Sequence, residues 1–304
     1  MLFHVKQALS VFHVEHRRTD DEKQDKMKDI VSKTIAVTNQ KGGVGKTTTT
    51  INLAASLAAN DLRVLIVDID PQGNSTTGLG VAKTPDLATI YDLLLGEKSV
   101  EETALKTECL GLDIVPANQN LVAANLELVD ETEREFRLRD KLLAVKDKYD
   151  FILIDCPPAL DLLTLNALLA ADAVIIPIQC EFFALEGISQ LIETINGVRE
   201  GFDHKIAIEG ILLTMYDDRA NLTKMVAQDL RDFFKDEVFQ TVIPRSIRLA
   251  EAPSHGKPII LYDVRSKGAE SYIQLAKEIL ERNRNKEAAA VTTNTTTTTN
   301  TTNE

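Results

Sequence analysis

The 304-residue sequence predicts an α/β fold, with one doubly wound, mostly parallel sheet and helices on both of its faces. Two observations support this prediction. Short apolar runs are continuous instead of alternating with polar residues, which is typical of parallel strands that are buried on both faces. Segments with helical spacing separate these runs, as crossovers between parallel strands require. The predicted strands are 34–38, 64–67, 151–154, 173–176 and 206–213, and the predicted helices are 48–60, 162–170, 186–200, 221–235 and 268–284.

The organised domain is predicted to cover residues 30–284. Residues 1–29 mix charges of both signs without a helical or strand period, and residues 285–304 are rich in Thr and Asn after a short Ala run. Neither segment has the pattern of a packed core, so we expect a disordered arm and a disordered tail.

Composition excludes several classes of protein. The formal net charge of −12 argues against a generally basic nucleic-acid binder, although it leaves room for a local basic patch. No apolar run is long enough to cross a membrane, and no secretory signal opens the chain. The three cysteines lack the spacing of metal ligands and are expected to be buried in a reducing compartment. We therefore expect a cytoplasmic protein.

A glycine-rich loop between the first predicted strand and helix reads Asn-Gln-Lys-Gly-Gly-Val-Gly-Lys-Thr-Thr over residues 39–48. Its glycines permit positive φ and close backbone approach, so that consecutive N–H groups converge on one anion. In this strand–turn–helix context the loop predicts a nucleotide site, with Lys46 on the β- and γ-phosphates and the Thr47 hydroxyl on Mg²⁺. The nucleotide-binding residues predicted in the loop are Lys41, Gly42, Gly43, Val44, Gly45, Lys46, Thr47 and Thr48.

The loop departs from the usual phosphate-loop pattern, because Gln40 stands where a glycine is expected and a second lysine, Lys41, follows it. This arrangement resembles the deviant Walker A motif, Lys-Gly-Gly-x-Gly-Lys-Thr. The resemblance implies that Lys41 reaches across a dimer interface to the partner's nucleotide. A cation placed there would stabilise charge on the transferring phosphoryl group, so Lys41 and Lys46 are both catalytic candidates. The alternative for Lys41 is a solvated surface lysine.

Three aspartates follow predicted strands. Asp68 and Asp70 close the second strand, where carboxylates two residues apart can face one pocket. Asp155 follows four apolar residues, which is the Walker B pattern of a residue that holds Mg²⁺ directly or through water. Thr47, Asp155 and Asp68 are therefore the predicted Mg²⁺ ligands. The alternative is a cap or turn role, which is most plausible for Asp68.

Five segments together resemble the ParA/Soj chromosome-partitioning ATPases of the ParA/MinD superfamily. These are the loop at 39–48, Asp68–Asn74, Asp155–Pro158, Pro177–Gly187 and Ile243–Pro258, and the match runs from about residue 33 to 284. The resemblance implies an Mg-ATP-dependent homodimer that sandwiches ATP, binds double-stranded DNA non-specifically, and is stimulated by a ParB-type protein. A cytoplasmic, nucleoid-associated location is the corresponding expectation.

The resemblance also implies roles for individual residues. Asp70 matches the residue that positions the attacking water. Arg219 and Arg248 match two arginines of the family's DNA-binding face, and Met215 and Pro244 lie where the family builds its adenine pocket. Basic residues do concentrate in the last third of the chain, but aromatic residues are not interleaved with them, so base readout is not indicated.

Two other functions remain open. One is a DNA-bound nucleotide switch that regulates replication or sporulation. The other is a MinD-like membrane ATPase in cell division, which requires an amphipathic, basic C-terminal anchor. The last predicted helix instead ends in charged residues and a Thr/Asn tract, so no membrane association is expected.

The first residues contain a repeat, Leu2–Gln7 and Val11–His16. The first copy can be encoded by TGTTTCACGTGAAACA, the palindromic partition site of this family, and the second copy needs one changed base. We interpret residues 1–26 as partition-site DNA read through as protein, with the true start near Met27. The alternative is a chance repeat in a disordered arm.

Overall fold

The computed structural model describes the backbone of residues 32–298 and the side chains of residues 32–286. The predicted disordered arm, the repeat and the proposed start near Met27 lie outside the described residues, and so do residues 299–304. Those expectations stay predictions.

Seven strands form one sheet in the spatial order β3-β4-β2-β5-β1-β6-β7. Every neighbouring pair is parallel except β3 and β4, which are antiparallel. The predicted doubly wound, mostly parallel sheet is thereby confirmed. The strands are β1 Lys33–Val37, β2 Val64–Asp68, β3 Leu105–Lys106, β4 Leu112–Val115, β5 Phe151–Asp155, β6 Ala173–Gln179 and β7 Ala207–Thr214.

Helices connect the strands. The described α-helices are α1 Lys46–Ala58, α2 Asn74–Gly78, α3 Ile90–Leu95, α4 Val100–Thr103, α5 Leu121–Glu127, α6 Arg137–Leu143, α7 Leu162–Ala170, α8 Ala184–Phe202, α9 Asn221–Phe234, α10 Ile247–Glu251, α11 Ile259–Tyr262 and α12 Lys267–Thr298. The five predicted helices correspond to α1, α7, α8, α9 and α12. The helices that the sequence missed have seven residues or fewer, too few to show a helical period.

A hydrophobic core covers each face of the sheet. Neighbouring residues of β1 belong to different cores, since Ile35 packs on one face and Ala36 on the other. Helices α1 and α12 cover one face, where the buried Tyr272 places its hydroxyl 3.2 Å from that of Thr49. Helices α7 and α8 pack on the other face. The strands are thus buried on both sides, which explains their continuous apolar sequences.

Helix α12 continues to Thr298, past the predicted domain end at residue 284. This differs from the disorder expected for 285–298, a segment with no Gly or Pro to end a helix and an Ala run that favours one. Lys286 is anchored, because its Nζ lies 3.3 Å from the buried carboxylate of Glu209. Lys33 reaches the same carboxylate at 2.7 Å and donates to Asn283 at 2.6 Å. None of the helices within 32–298 has the length and apolarity needed to span a membrane.

We predict that Gly210→Ala destabilises the fold by about 1–3 kcal/mol. A Cβ at this position in β7 would lie 2.5–2.9 Å from three ring atoms of the buried Phe239. The matched control is Gly197→Ala in α8, where nothing lies within 4 Å and the helix should gain about 1 kcal/mol. Chemical denaturation measures both, and equal midpoints for Gly210→Ala and the wild type would contradict the assigned packing.

Candidate active site

The glycine-rich loop adopts the backbone conformation that its sequence predicts. Gly43 and Gly45 have φ values of 74° and 91°, in the left-handed region that glycine occupies without strain. Gly45 is the N-cap of α1, so the first N–H groups of that helix have no partner within the helix. The helix dipole and these donors together favour an anion at the loop.

Lys46 is a buried cation beside this loop. Its ammonium donates to the backbone oxygen of Lys41 at 3.1 Å. Burial lowers the pKa of Lys46, and the charges of Asp155 and Asp70 among others partly offset this effect. A phosphate at the loop would supply the counter-charge that a buried ammonium needs, so the cradle and the lysine fit a polyphosphate.

Asp155, the last residue of β5, accepts hydrogen bonds from hydroxyl groups. Its Oδ2 accepts from the Ser75 hydroxyl at 2.7 Å, and its Oδ1 accepts from Thr50 at 3.4 Å. The Thr47 hydroxyl is also close enough to lower the pKa of this carboxyl group. The structure therefore brings together two of the three predicted Mg²⁺ ligands. A hydroxyl beside a carboxylate is the kind of oxygen-donor set that Mg²⁺ accepts.

Asp68 lies next to Asp155 but is engaged differently. The two residues are in register on β2 and β5. The Oδ2 of Asp68 accepts from the backbone N–H of Thr76 at 2.8 Å and from its hydroxyl at 2.7 Å, and its Oδ1 accepts from the Asp70 N–H at 3.3 Å. Since both oxygens already accept from protein donors, a direct Mg²⁺ contact for Asp68 stays a prediction.

The two strand-end carboxylates disfavour each other's charge. Burial and the neighbouring charge of Asp155 raise the pKa of Asp68 to about 7. Burial also raises the pKa of Asp155 to about 6, against the lowering effect of its hydroxyl donors. A divalent cation would relieve this repulsion, which is a second reason why the site fits Mg²⁺. Within residues 32–286 no three His, Cys, Asp or Glu side chains group as metal ligands.

Asp70 lies two residues beyond β2 and is almost fully buried. Its carboxylate accepts from the Gln72 N–H at 2.9 Å. Its charge acts on both Lys46 and Asp155, which places it at the same site. The carboxylate therefore lies near the phosphate cradle, as a water-positioning residue must.

Lys41 lies on the surface, with 55% of its side chain exposed, and forms an ion pair with Glu181 in the loop after β6. Its backbone N–H donates to Asn39 at 2.9 Å, and the Asn39 amide donates to the Pro177 oxygen at 2.8 Å. The two lysines of the loop thus differ in burial, and they face different carboxylates: Lys46 interacts with Asp155 and Asp70, whereas Lys41 pairs with Glu181.

Sequence reasoning missed several residues that hold the site in place. Thr214, at the end of β7, donates to the Val44 oxygen at 2.8 Å and braces the glycine-rich loop. Ser75 and Thr76 bind the two strand-end carboxylates. The sequence feature that could have indicated them is a small hydroxyl residue at a strand end, as for Thr214, or just after the turn at Asp70, as for Ser75 and Thr76.

The remaining predicted residues lie beyond β7. Met215 has a φ of 48°, and the next residue, Tyr216, bridges to Pro244, so the two predicted adenine-pocket residues are brought close together. Arg219 is 86% exposed and ion-paired with Asp217 at 2.9 Å. Arg248 is exposed and lies 3.2 Å from Glu251 and 3.7 Å from Asp263.

Comparison with known proteins identifies the family. The model of the AAA domain family matches residues 32–208, more than half of the chain. The chromosome partitioning protein ParA of Myxococcus xanthus is 53% identical over 253 residues, 83% of this chain and 89% of the relative. The sporulation initiation inhibitor protein Soj of Bacillus subtilis is 54% identical over 249 residues, 82% of this chain and 98% of the relative. The chain belongs to the ParA/Soj family.

A solved structure extends this result. The crystal structure of cobyrinic acid a,c-diamide synthase from Mycobacterium smegmatis, with bound ATP analogue and magnesium, has a TM-score of 0.74 and 35% identity. The match covers 84% of this chain and 96% of that chain. The predicted resemblance to ParA/Soj ATPases is confirmed, and the fold is one that binds nucleotide and magnesium in a neighbouring structure.

We predict that Lys46→Ala abolishes ATP binding in this ParA/Soj protein, because a buried polyphosphate would lose its main counter-charge. Equilibrium titration with a fluorescent ATP analogue and Mg²⁺ measures the effect. Lys41→Ala is the matched control and should bind the analogue, since its side chain lies on the surface. Wild-type affinity in Lys46→Ala would contradict the phosphate role.

Proposed function

We propose that this protein is a Mg²⁺-dependent ATPase that partitions chromosomes as a nucleotide-controlled homodimer on DNA, with a ParB-type partner. The observation that carries this proposal is the grouping of Lys46, Thr47 and Asp155 beside a left-handed glycine loop. Family membership supports the ATPase activity. The names of the relatives from Myxococcus and other bacteria support chromosome partitioning.

The side chains divide the reaction between them. Lys46 and the N–H groups at the start of α1 bind the phosphates and neutralise their charge. Thr47 and Asp155 would hold the Mg²⁺ ion, which when bound neutralises charge on the phosphate oxygens. Asp70 orients the attacking water for in-line displacement. Met215 and Pro244 would contact the adenine, at the edge of the sheet where the loop lies.

A second copy of the chain would complete the site. Lys41 is exposed and cannot serve the phosphates as Lys46 does, whereas in trans it would face the partner's nucleotide. Two neighbouring apolar side chains support such a face, since Phe182 and Phe183 are 77% and 69% exposed and pack edge to face after Glu181. Exposed aromatic pairs beside a polar site are typical of interfaces.

We predict that Lys41→Ala binds ATP but fails to dimerise with ATP and Mg²⁺, because the charge that bridges the two copies is lost. Multi-angle light scattering measures the mass with ATP and with ADP. Lys98→Ala, which removes another surface lysine paired with a glutamate, should dimerise as the wild type does. ATP-dependent dimers of Lys41→Ala would show that the trans role is wrong.

DNA contact is proposed for Arg219 and Arg248. Both guanidinium groups are exposed, and their acidic partners lie at the surface, where ion pairs contribute little to stability. Phosphate oxygens can therefore replace those partners at small cost. Because the chain as a whole is acidic, binding depends on this local patch, and dimerisation doubles it. The proposed location is the cytoplasm, in association with the nucleoid.

We predict that Arg219→Ala/Arg248→Ala flattens the slope of the logarithm of the DNA-binding constant against log salt concentration by roughly 3–4 units. The reason is that a dimer loses four arginine contacts with DNA phosphates. Fluorescence anisotropy with random-sequence duplex and ATP measures the slope. The control Arg139→Ala/Lys148→Ala changes the net charge equally at other exposed ion pairs and should leave the slope unchanged. An unchanged slope in the first variant would place the DNA face elsewhere.

Regulation of replication or sporulation is the second candidate function. The name of the Bacillus relative, a sporulation initiation inhibitor, favours it. The same nucleotide switch and the same DNA face would serve both functions. Stimulation of ATP hydrolysis by the host's ParB-type protein with partition-site DNA would support partitioning.

A further inference from the structure

The segment that carries Asp70 is held by a hydroxyl group to which the proposed mechanism gives no role. After β2 the chain turns at residues 69–73, where the Gly73 N–H donates to the Asp70 oxygen at 2.8 Å. It then enters α2, in which Thr76 is fully buried. The position of Asp70 therefore depends on how α2 is fixed to the sheet.

The Thr76 hydroxyl both donates and accepts a hydrogen bond. It donates to Asp68 at 2.7 Å and accepts from the Ala117 N–H at 2.8 Å. The Thr76 N–H donates to the same carboxylate oxygen at 2.8 Å. Asp68 ends β2, and Ala117 follows β4, its hydrogen-bonded neighbour. One hydroxyl thus joins two strand ends to the helix that follows Asp70.

Ala117 also confines the beginning of the same segment. Gly73 has a φ of 59°, and a Cβ there would lie 2.5 Å from the Ala117 oxygen. The backbone of Ala117 therefore contacts the segment at Gly73 through its oxygen and at Thr76 through its N–H. The Asp70 N–H donates to the other oxygen of Asp68 at 3.3 Å. Asp68 and Ala117 together hold residues 70–76 in position through these contacts.

We propose that Thr76 is a positioning residue for ATP hydrolysis, which fixes the Asp70 segment through Asp68 and Ala117. The proposal rests on the proposed function, in which Asp70 orients the attacking water. Asp68 acts here as the anchor of the segment, because its oxygens accept from Thr76 and from the Asp70 N–H. A displacement of about 1 Å in such a group lowers turnover by up to about 100-fold, while the phosphate-binding groups on the loop stay in place.

The test is Thr76→Val, which keeps the shape of the side chain and removes its hydroxyl. The Ala117 N–H is left unpaired and Asp68 loses one donor. We expect kcat for ATP, measured with Mg²⁺ and double-stranded DNA, to fall at least about tenfold. Affinity for a non-hydrolysable ATP analogue should stay within about threefold of the wild type, because loss of positioning lowers turnover but does not weaken nucleotide binding.

Two matched variants separate positioning from loss of stability. Thr76→Ser keeps the hydroxyl and should restore at least about half of the wild-type kcat. Thr77→Val removes the neighbouring hydroxyl, which donates only to the Gly73 oxygen at 3.1 Å, and should hydrolyse as the wild type does. Thr76→Ala replaces Thr76→Val if circular dichroism shows that the valine variant is unfolded.

The outcomes distinguish the inference from the function on which it rests. Wild type that never hydrolyses ATP would reject the proposed function itself. Hydrolysis by the wild type with a kcat of Thr76→Val within about twofold would reject only the inference. A parallel loss of kcat and analogue affinity, or unfolding of both the valine and the alanine variants, would show a structural role and also reject it.

Discussion

The site depends on the meeting of two buried carboxylates, Asp68 and Asp155, at the ends of neighbouring parallel strands. Parallel strands bring their carboxyl ends to one edge of the sheet, so residues far apart in sequence become neighbours there. Two carboxylates without water would repel each other, and burial raises the pKa of both. The hydroxyls and N–H groups that donate hydrogen bonds to these carboxylates determine much of the surrounding structure.

These donors come from different directions. Asp155 accepts hydrogen bonds from hydroxyls of α1 and α2, so it ties α1 to the segment after Asp70. Asp68 takes its donors from Asp70 and Thr76, on the segment alone. Asp155 is thus the carboxylate that α1 and α2 share, and a cation bound there would compete with these hydrogen bonds. Asp68 has a fully local set of partners, which suits a fixed anchor.

The sequence predicted the long elements and the loop because each is encoded locally. A buried parallel strand is a continuous apolar run, and Gly43 and Gly45 have left-handed backbone that few other residues adopt. The short strand β4 and helix α2 were not predicted, since four or five residues carry too little periodicity. Thr76 and Thr214 were missed for another reason: their partners lie 41 and 170 residues away, and no local pattern encodes a distant hydrogen bond.

The difference between the two lysines of the loop follows from burial. Lys46 is buried, and this burial lowers its pKa because a charge removed from water is costly without an anion. Its interaction with a phosphate would act at low effective dielectric and would be strong. Lys41 keeps its water and a solvent-exposed partner, Glu181, so exchange of that partner costs little. A strong fixed contact suits binding of the nucleotide, whereas a weak and replaceable one suits a contact that forms only when a second copy arrives. In the proposed function, the two lysines, separated by only four residues, would divide nucleotide affinity from assembly through their difference in solvent exposure.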